Sequence, residues 1–239
     1  MSDLDGSGRI AFVCAMPMEL RPLTRKLSLR KTSLKGVTAH VGSLGQSPVV
    51  AIVTGMGTRL ARQGLERLLG VCPVERVVVV GITGAVDNVT PIGTLIVPVA
   101  VVNSATGVEY QPAPLGDATP AGKMWTTDVL LTDPDVIGRL RARGVVSLDM
   151  ETAALAEVCG GRGIPWSVFR VISDRATDGS IDDEIFHLSH QDGTPDWGAV
   201  GRYFLRHPGR MPRMARLARG AKLATEAAAD AAIRACATS

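Results

Sequence analysis

Five short apolar runs rich in β-branched residues set the terms on which this 239-residue chain can fold. They are RIAFVCAM (9–16), SPVVAIVTGM (47–56), RVVVVGITGA (76–85), GTLIVPVAVV (93–102) and WSVFRVIS (166–173). Continuous apolar runs of this length, bounded by Gly and Pro, suit strands buried on both faces. Helical spacings lie between several of them. In PMELRPLTRKL (17–27), Leu20, Leu23 and Leu27 recur at helical intervals behind Pro17, which suits a first-turn position. In TRLARQGLERLLG (58–70), Leu65, Leu68 and Leu69 face one way and Gly70 can end the helix. In ETAALAEVCGGRG (151–163), Leu155, Val158 and Cys159 do the same. Strands alternating with helices predict an α/β protein with a largely parallel sheet covered on both faces. No repeat or linker divides the chain, so we expect a single domain over 1–239, with a core at 9–205 and a basic C-terminal helix at 209–235. The segments 103–128 and 178–197 read as irregular excursions of the kind that cover active sites.

The formal net charge is +3, too slight to argue for a nucleic-acid partner. Much of the excess falls in RYFLRHPGRMPRMARLARGAK (202–222). A solvated helix face is the favoured reading of that stretch, and contact with acidic lipid or RNA the minor one. Cys14, Cys72, Cys159 and Cys236 show no C-x-x-C spacing, so neither a disulfide framework nor a zinc site is indicated. The N-terminal MSDLDGSGR lacks the apolar region of a signal peptide, and no apolar run reaches the roughly 18 residues of a membrane span. The expected location is the cytoplasm.

In an open α/β sheet, ligands bind beyond the carboxyl ends of the strands. AMPMEL follows the first run with Glu19, TGMG follows the second with Gly55 and Gly57, and GITGA closes the third with Gly81 and Gly84. DMET precedes the third helix, and Ser173-Asp174 ends the last strand. Acids and paired glycines therefore gather at the strand ends without cysteine or histidine, which argues against a metal. His40, His187, His190 and His207 lie outside these motifs, so a Ser-His-Asp triad is poorly supported; His187 and His190 in HLSH suit an exposed helix surface. Neither G-x-x-x-x-G-K-[ST] nor G-x-G-x-x-G is present, so no nucleotide or dinucleotide cofactor is implied. A strand-Gly-x-Gly-helix turn can be merely tight; beside the acids it suggests backbone brought close to a small polar ligand.

The set AMPMEL, TGMG, GITGAVDNVTPIGTLIV and LDMETAALAEVCGGRGIPWSVFRVISD resembles the nucleoside phosphorylase/nucleosidase superfamily, most closely its methylthioadenosine/S-adenosylhomocysteine nucleosidase branch. The resemblance spans roughly 9–178 and implies a three-layer α/β/α domain around a twisted, mixed sheet, a small-molecule nucleoside substrate, no cofactor, and a homodimer. It also implies roles. Glu151 would bind the ribose hydroxyls and Met150 would pack on the sugar. Asp174, beside Ser173, would protonate the purine N7, and Glu19 would orient or deprotonate the attacking water. Thr83, Gly84 and Leu131 would complete the substrate pocket. The chemistry requires such residues. Cleaving C1′–N9 generates an oxocarbenium-like sugar and a poor leaving group. One carboxyl must be a proton donor while another handles water, so their environments must separate their pKa values.

The sequence also departs from the family pattern. Asp149 stands where the triplet usually begins with glutamate, and Ile82 replaces a small hydroxyl residue. The segment whose aromatic stacks on adenine reads TTDVLL (126–131), keeping Asp128 but placing Leu130 at the aromatic position. DMET and the basic C-terminal region are also similar to hopanoid-associated phosphorylase-like relatives, which implies adenosylated hopanoids as an alternative substrate. The leading expectation is hydrolysis of a purine, most of all an adenine, nucleoside. Phosphorolysis is the first alternative, against which only Arg59 lies near the glycine turns; a non-catalytic nucleoside-binding protein is the second. The strand-end motifs offer no cationic cluster for a 5′-phosphate. We therefore expect an apolar 5′ tail, lined by residues such as Ile181, Phe186, Trp197 and Phe204.

Overall fold

The structure is a computed structural model that describes residues 8–176 and 211–238. Its first strand, β1 (Arg9–Cys14), is buried throughout and leads into helix α1 (Pro17–Lys26). A hairpin of β2 (Arg30–Leu34) and β3 (Val37–Leu44) follows, then β4 (Ser47–Val53), α2 (Thr58–Leu69) and the long β5 (Val74–Ala85). Next come β6 (Leu95–Ile96), β7 (Ala100–Asn103), β8 (Glu109–Tyr110), β9 (Lys123–Thr126), α3 (Pro134–Ala142) and β10 (Val145–Asp149). Helix α4 (Thr152–Arg162), β11 (Trp166–Arg175) and a final helix, α5 (Met211–Ala237), complete the described elements.

The buried runs form the parallel centre: β1 pairs with β4 and β5, and β11 with β5. Antiparallel pairings take over at the margins, β2 with β3, β3 with β4, β7 with β8 and β6 with β11. The result is the expected mixed sheet with helices on both sides. On one face Leu65 and Leu68 of α2 pack with Leu155 and Val158 of α4. On the other, Leu20 and Leu23 of α1 meet Ala224, Ala228 and Ala232 of α5. That alanine stripe lets α5 approach closely, while its Arg216, Arg219 and Lys222 are exposed. No described helix is long and apolar enough to cross a membrane.

One discontinuity positions the site. Along one edge of β5, β1 pairs as far as Val79 and β10 begins only at Gly84. Between them Ile82 has no strand neighbour on that side, so its peptide groups need other partners. Glu19 and Arg170 supply them. The Ile82 N–H donates to Glu19 Oε1 at 2.8 Å, and Arg170 Nη1 donates to the Ile82 carbonyl at 2.9 Å. The break in the ladder is thus filled by side chains from α1 and β11.

Several expectations are corrected. The run 93–102 is two strands, because the chain breaks at Val97–Val99 around Pro98 and β6 and β7 pair with different neighbours. The segment 103–128 is not irregular throughout, since it contains β8 and β9. The β2–β3 hairpin and α3 escaped the sequence reading: β2 is a largely exposed edge strand, RKTSL, with no apolar run to betray it. The segment 178–197, His187, His190 and the expected tail-lining residues Ile181, Phe186, Trp197 and Phe204 lie outside the described residues.

Candidate active site

Three carboxylates converge on one guanidinium. Arg170, buried near the middle of β11, places Nη2 3.0 Å from Asp149 Oδ2 and 3.0 Å from Glu151 Oε2, and Nη1 3.6 Å from Glu19 Oε1. Asp149, Glu151 and Glu19 come from the end of β10, the start of α4 and the first turn of α1, and all are buried. A buried charge is tolerated only when paired and hydrogen-bonded. Burial opposes the charge on Arg170, but the three carboxylates together outweigh it and hold the guanidinium above the usual arginine range.

The carboxylates have different work. Asp149 is structural. It accepts from the Thr152 N–H at 2.8 Å, the Glu151 N–H at 3.2 Å and the Thr152 hydroxyl at 2.5 Å, capping α4, and from the Thr126 hydroxyl at 2.6 Å. Its carboxylate thus ties the start of α4 to β9. Glu151 instead reaches away from α4. Its Oε1 accepts the Gly57 N–H at 3.0 Å and its Oε2 meets Arg170. Burial raises its pKa to about 7, with Asp149 and Glu19 pushing the same way and Arg170 and the Gly57 N–H opposing. Glu19 is raised by burial too, restrained by Arg170 and by the N–H groups of Ile82, Met16 and Ala15. The last two donate to Glu19 Oε2 at 2.9 and 2.8 Å. Gly81 leaves room for this arrangement, because a Cβ there would lie 2.2 Å from Glu19 Oε1 and 3.0 Å from Arg170 Nη1.

Two adjoining clefts open beside the cluster. The inner one, about 140 Å³, is lined by Glu19, Glu151, Arg170, Thr83, Ser173 and Met56, among others. The outer one, about 160 Å³, is lined by Thr127, Val129, Leu130, Leu131, Arg175 and Ala176, among others. Gly84, Leu148, Asp149, Met150 and Asp174 line both, so the clefts share a wall. Asp174 stands on that wall, with the Ser173 hydroxyl donating to its Oδ1 at 2.5 Å. A Cβ on Gly84 would come within 3.3 Å of Asp174 Oδ2, so glycine keeps the approach to this carboxyl open. Thr83 spends its hydroxyl on the Leu148 carbonyl at 2.7 Å, locking β5 to β10 at the rim.

The residues to which the resemblance assigned catalytic or substrate-binding roles, Glu19, Asp174, Glu151, Met150, Gly84, Thr83, Leu131 and Ser173, all line one or both of these clefts. Sequence reasoning missed Arg170, although an arginine inside WSVFRVIS, a run expected to be buried on both faces, signals a charge that must be paired. It also missed Arg175. That side chain lines the outer cleft and donates to the Thr90 carbonyl from Nε at 3.3 Å and Nη2 at 3.1 Å. The end of β11 therefore supplies one cation at the outer cleft, engaged by the Thr90 carbonyl.

The site thus combines a buried acidic cluster with a separate carboxyl on the wall of an adjoining, largely apolar cleft. The sequence profile of the phosphorylase superfamily matches residues 9–122 and 113–206, and the chain belongs to that superfamily. Among curated proteins it is 24% identical over 217 residues to the 5'-methylthioadenosine/S-adenosylhomocysteine nucleosidase of Glaesserella parasuis, covering 78% of this chain and 92% of the relative. Among solved structures it resembles the S-adenosylhomocysteine nucleosidase of Streptococcus pyogenes in complex with 5-methylthiotubericidin. There the TM-score is 0.72 at 18% identity, covering 98% of each chain. The futalosine hydrolase of Helicobacter pylori is also similar, with a TM-score of 0.68 at 14% identity over 93% of this chain and 94% of that one.

Proposed function

We propose that the protein hydrolyses the N-glycosidic bond of a purine nucleoside and releases the free base, with adenine nucleosides such as methylthioadenosine or S-adenosylhomocysteine as the substrate class. The observation that carries this reading is the surplus of carboxylate over guanidinium around Arg170. Breaking C1′–N9 builds positive charge on the sugar. A buried cluster of acids facing one cation favours that charge where water cannot screen it. In this reading the sugar occupies the inner cleft. Ionised Glu151 accepts hydrogen bonds from the ribose hydroxyls, and these are strong because they are charge-assisted. Met150 packs on the ribose. The base lies in the outer cleft against Leu130 and Leu131. Asp174, steadied by Ser173, passes a proton to N7 as the bond breaks, and Glu19 orients or deprotonates the attacking water.

The donors that would welcome phosphate are already engaged. The N–H groups of Ala15, Met16 and Ile82 serve Glu19, that of Gly57 serves Glu151, and that of Thr58 serves Asp128. Backbone donors at helix N-termini otherwise form anion sites; filled with the protein's own carboxylates, they repel an anionic nucleophile. This favours water over phosphate. The likeness to nucleosidases also leads us to propose a homodimer acting in the cytoplasm.

The test is to incubate the protein with adenosine, methylthioadenosine, S-adenosylhomocysteine, inosine and adenosine monophosphate, with and without phosphate, and to separate the free base by chromatography. Adenine release that does not depend on phosphate is the expected result. Strict dependence on phosphate would replace hydrolysis by phosphorolysis. Inosine as the preferred substrate would contradict protonation of N7 by Asp174.

A further inference from the structure

Asp128 lines neither cleft among the described residues, yet both its carboxylate oxygens are engaged by one residue far away in the chain. The Thr58 N–H donates to its Oδ1 at 2.8 Å and the Thr58 hydroxyl to its Oδ2 at 2.5 Å. Thr58 opens α2, whose N-cap, Gly57, has no side chain to cap the helix and whose first turn has no acid. Asp128 therefore does from 70 residues away what a local N-cap normally does. Gly57, held at a φ of 91°, is the residue whose N–H reaches Glu151 Oε1. A Cβ on Gly57 would come within 3.4 Å of Asp128 Oδ1, so turn and carboxylate are in close contact.

Two residues before Asp128, Thr126 fastens the same segment to the other helix start. Its hydroxyl donates to Asp149 Oδ1 at 2.6 Å and accepts the Ala153 N–H at 3.1 Å. Thr127, between them, lines the outer cleft. One short stretch thus bears part of the outer wall and grips the N-termini of both α2 and α4.

We infer that Asp128 is a positioning residue that, through Thr58 and Gly57, fixes the ribose-binding carboxylate of Glu151 relative to the wall against which the base lies. The inference rests on the nucleosidase reading for the identity of base and ribose. Without the clasp, α2 keeps its packing on α4, but its first residue loses both partners and the Gly57 N–H drifts from Glu151. Substrate then binds a less ordered clamp. Glu151, facing Arg170 from β11, Asp149 from β10 and Glu19 from α1, also loses a hydrogen bond that favours its ionised form.

The test compares Asp128→Ala, Asp128→Asn and Thr58→Val with the unmodified protein by steady-state kinetics on methylthioadenosine across pH, with thermal melts as the control for folding. For Asp128→Ala we expect KM to rise about ten-fold with a smaller change in kcat, and the acid limb of kcat/KM to move to higher pH. Asp128→Asn, which keeps an acceptor for the Thr58 N–H, should restore KM to within about two-fold. Thr58→Val, which removes only the hydroxyl arm, should fall between them and serves if Asp128→Ala does not fold. A lowered melting temperature with unchanged KM and pH profile would make Asp128 a helix cap and nothing more. Equal losses in the Ala and Asn variants would also overturn the inference. If the unmodified protein released no base from any nucleoside, the nucleosidase reading would fall. The same variants would then be compared by calorimetric affinity for adenosine, where about ten-fold weaker binding by Asp128→Ala upholds the clasp and equal affinity rejects it.

Discussion

The inner and outer clefts share a wall but are built on opposite principles. Around Arg170 each named carboxylate is buried and has hydrogen-bond partners on more than one element. Across the wall, Val129 is 61% exposed, and Leu130 and Leu131 offer apolar surface without directed contacts. A charge displaced by an ångström in the inner cleft costs far more than a leucine displaced in the outer one. Substitutions in the inner cleft, where we propose the sugar binds, should therefore act on rate and folding, and those in the outer cleft on affinity and choice of substrate.

The largest effect is expected at the shared wall. Asp174→Asn cannot transfer a proton, and general acid catalysis is worth about 10²–10⁴-fold. We expect kcat on methylthioadenosine to fall by that factor while binding, read by calorimetry, stays close to that of the unmodified protein. Retained turnover would remove the proposed acid.

Arg170→Met probes the cluster itself. Removing one partner of a buried ionic network costs about 3–5 kcal/mol, because three carboxylates then face one another without a counter-charge. Chemical denaturation near pH 7 should show a loss of that order, shrinking as acid protonates the carboxylates. A variant as stable as the parent would mean that the charges are far better solvated than their burial indicates.

Glu151→Gln should separate function from stability. In the proposed role activity falls, because an amide would accept the ribose hydroxyls more weakly. Stability moves the other way, and the sign follows from the raised pKa. Burial lifts Glu151 from 4.5 to about 7, so the folded state holds the proton more tightly than the unfolded chain does. The contribution of the neutral carboxyl is fully present below the unfolded pKa and is lost as pH rises through about 7. A permanently neutral amide escapes that loss. At about 1.4 kcal/mol per unit, Glu151→Gln should gain about 3 kcal/mol over the parent at pH 8, about 1 kcal/mol or less at pH 5, and almost nothing below about pH 4. Equal stability of the two proteins at both pH values would reject the raised pKa.

The smallest effect belongs to the outer wall. Leu130→Phe supplies an aromatic face, and a stacked pair adds about 0.5–1.5 kcal/mol. We expect KM for adenine nucleosides to drop about two- to ten-fold with kcat little changed. A large change in kcat would mean that base and sugar recognition are not separable.

How much of this the sequence could reveal follows the same divide. The buried strands announce themselves because burial on both faces demands continuous apolar runs, and α1, α2 and α4 because one-sided burial demands periodicity. The gathering of Glu19, Glu151 and Asp174 around one cleft was legible because they stand at the ends of those elements in a recognisable order. The β2–β3 hairpin was not, since an exposed edge places no such demand on its residues. Nor was the clasp between Asp128 and Thr58: a helix capped from 70 residues away leaves no local pattern. Arg170 was legible in principle. A cation within a strand buried on both faces has no stable state except a paired one, and the acids at the neighbouring strand ends were its available partners.

Glu19 tests the account most directly, because it fills the break in the β5 ladder and is assigned the water. Glu19→Gln is nearly isosteric and keeps one acceptor for its backbone donors. The decisive measurement is its phosphate-free turnover of methylthioadenosine, with a thermal melt to establish that it is folded. The account predicts a folded protein whose adenine release falls by about 10²-fold or more. A folded variant that releases adenine at the unmodified rate would contradict it.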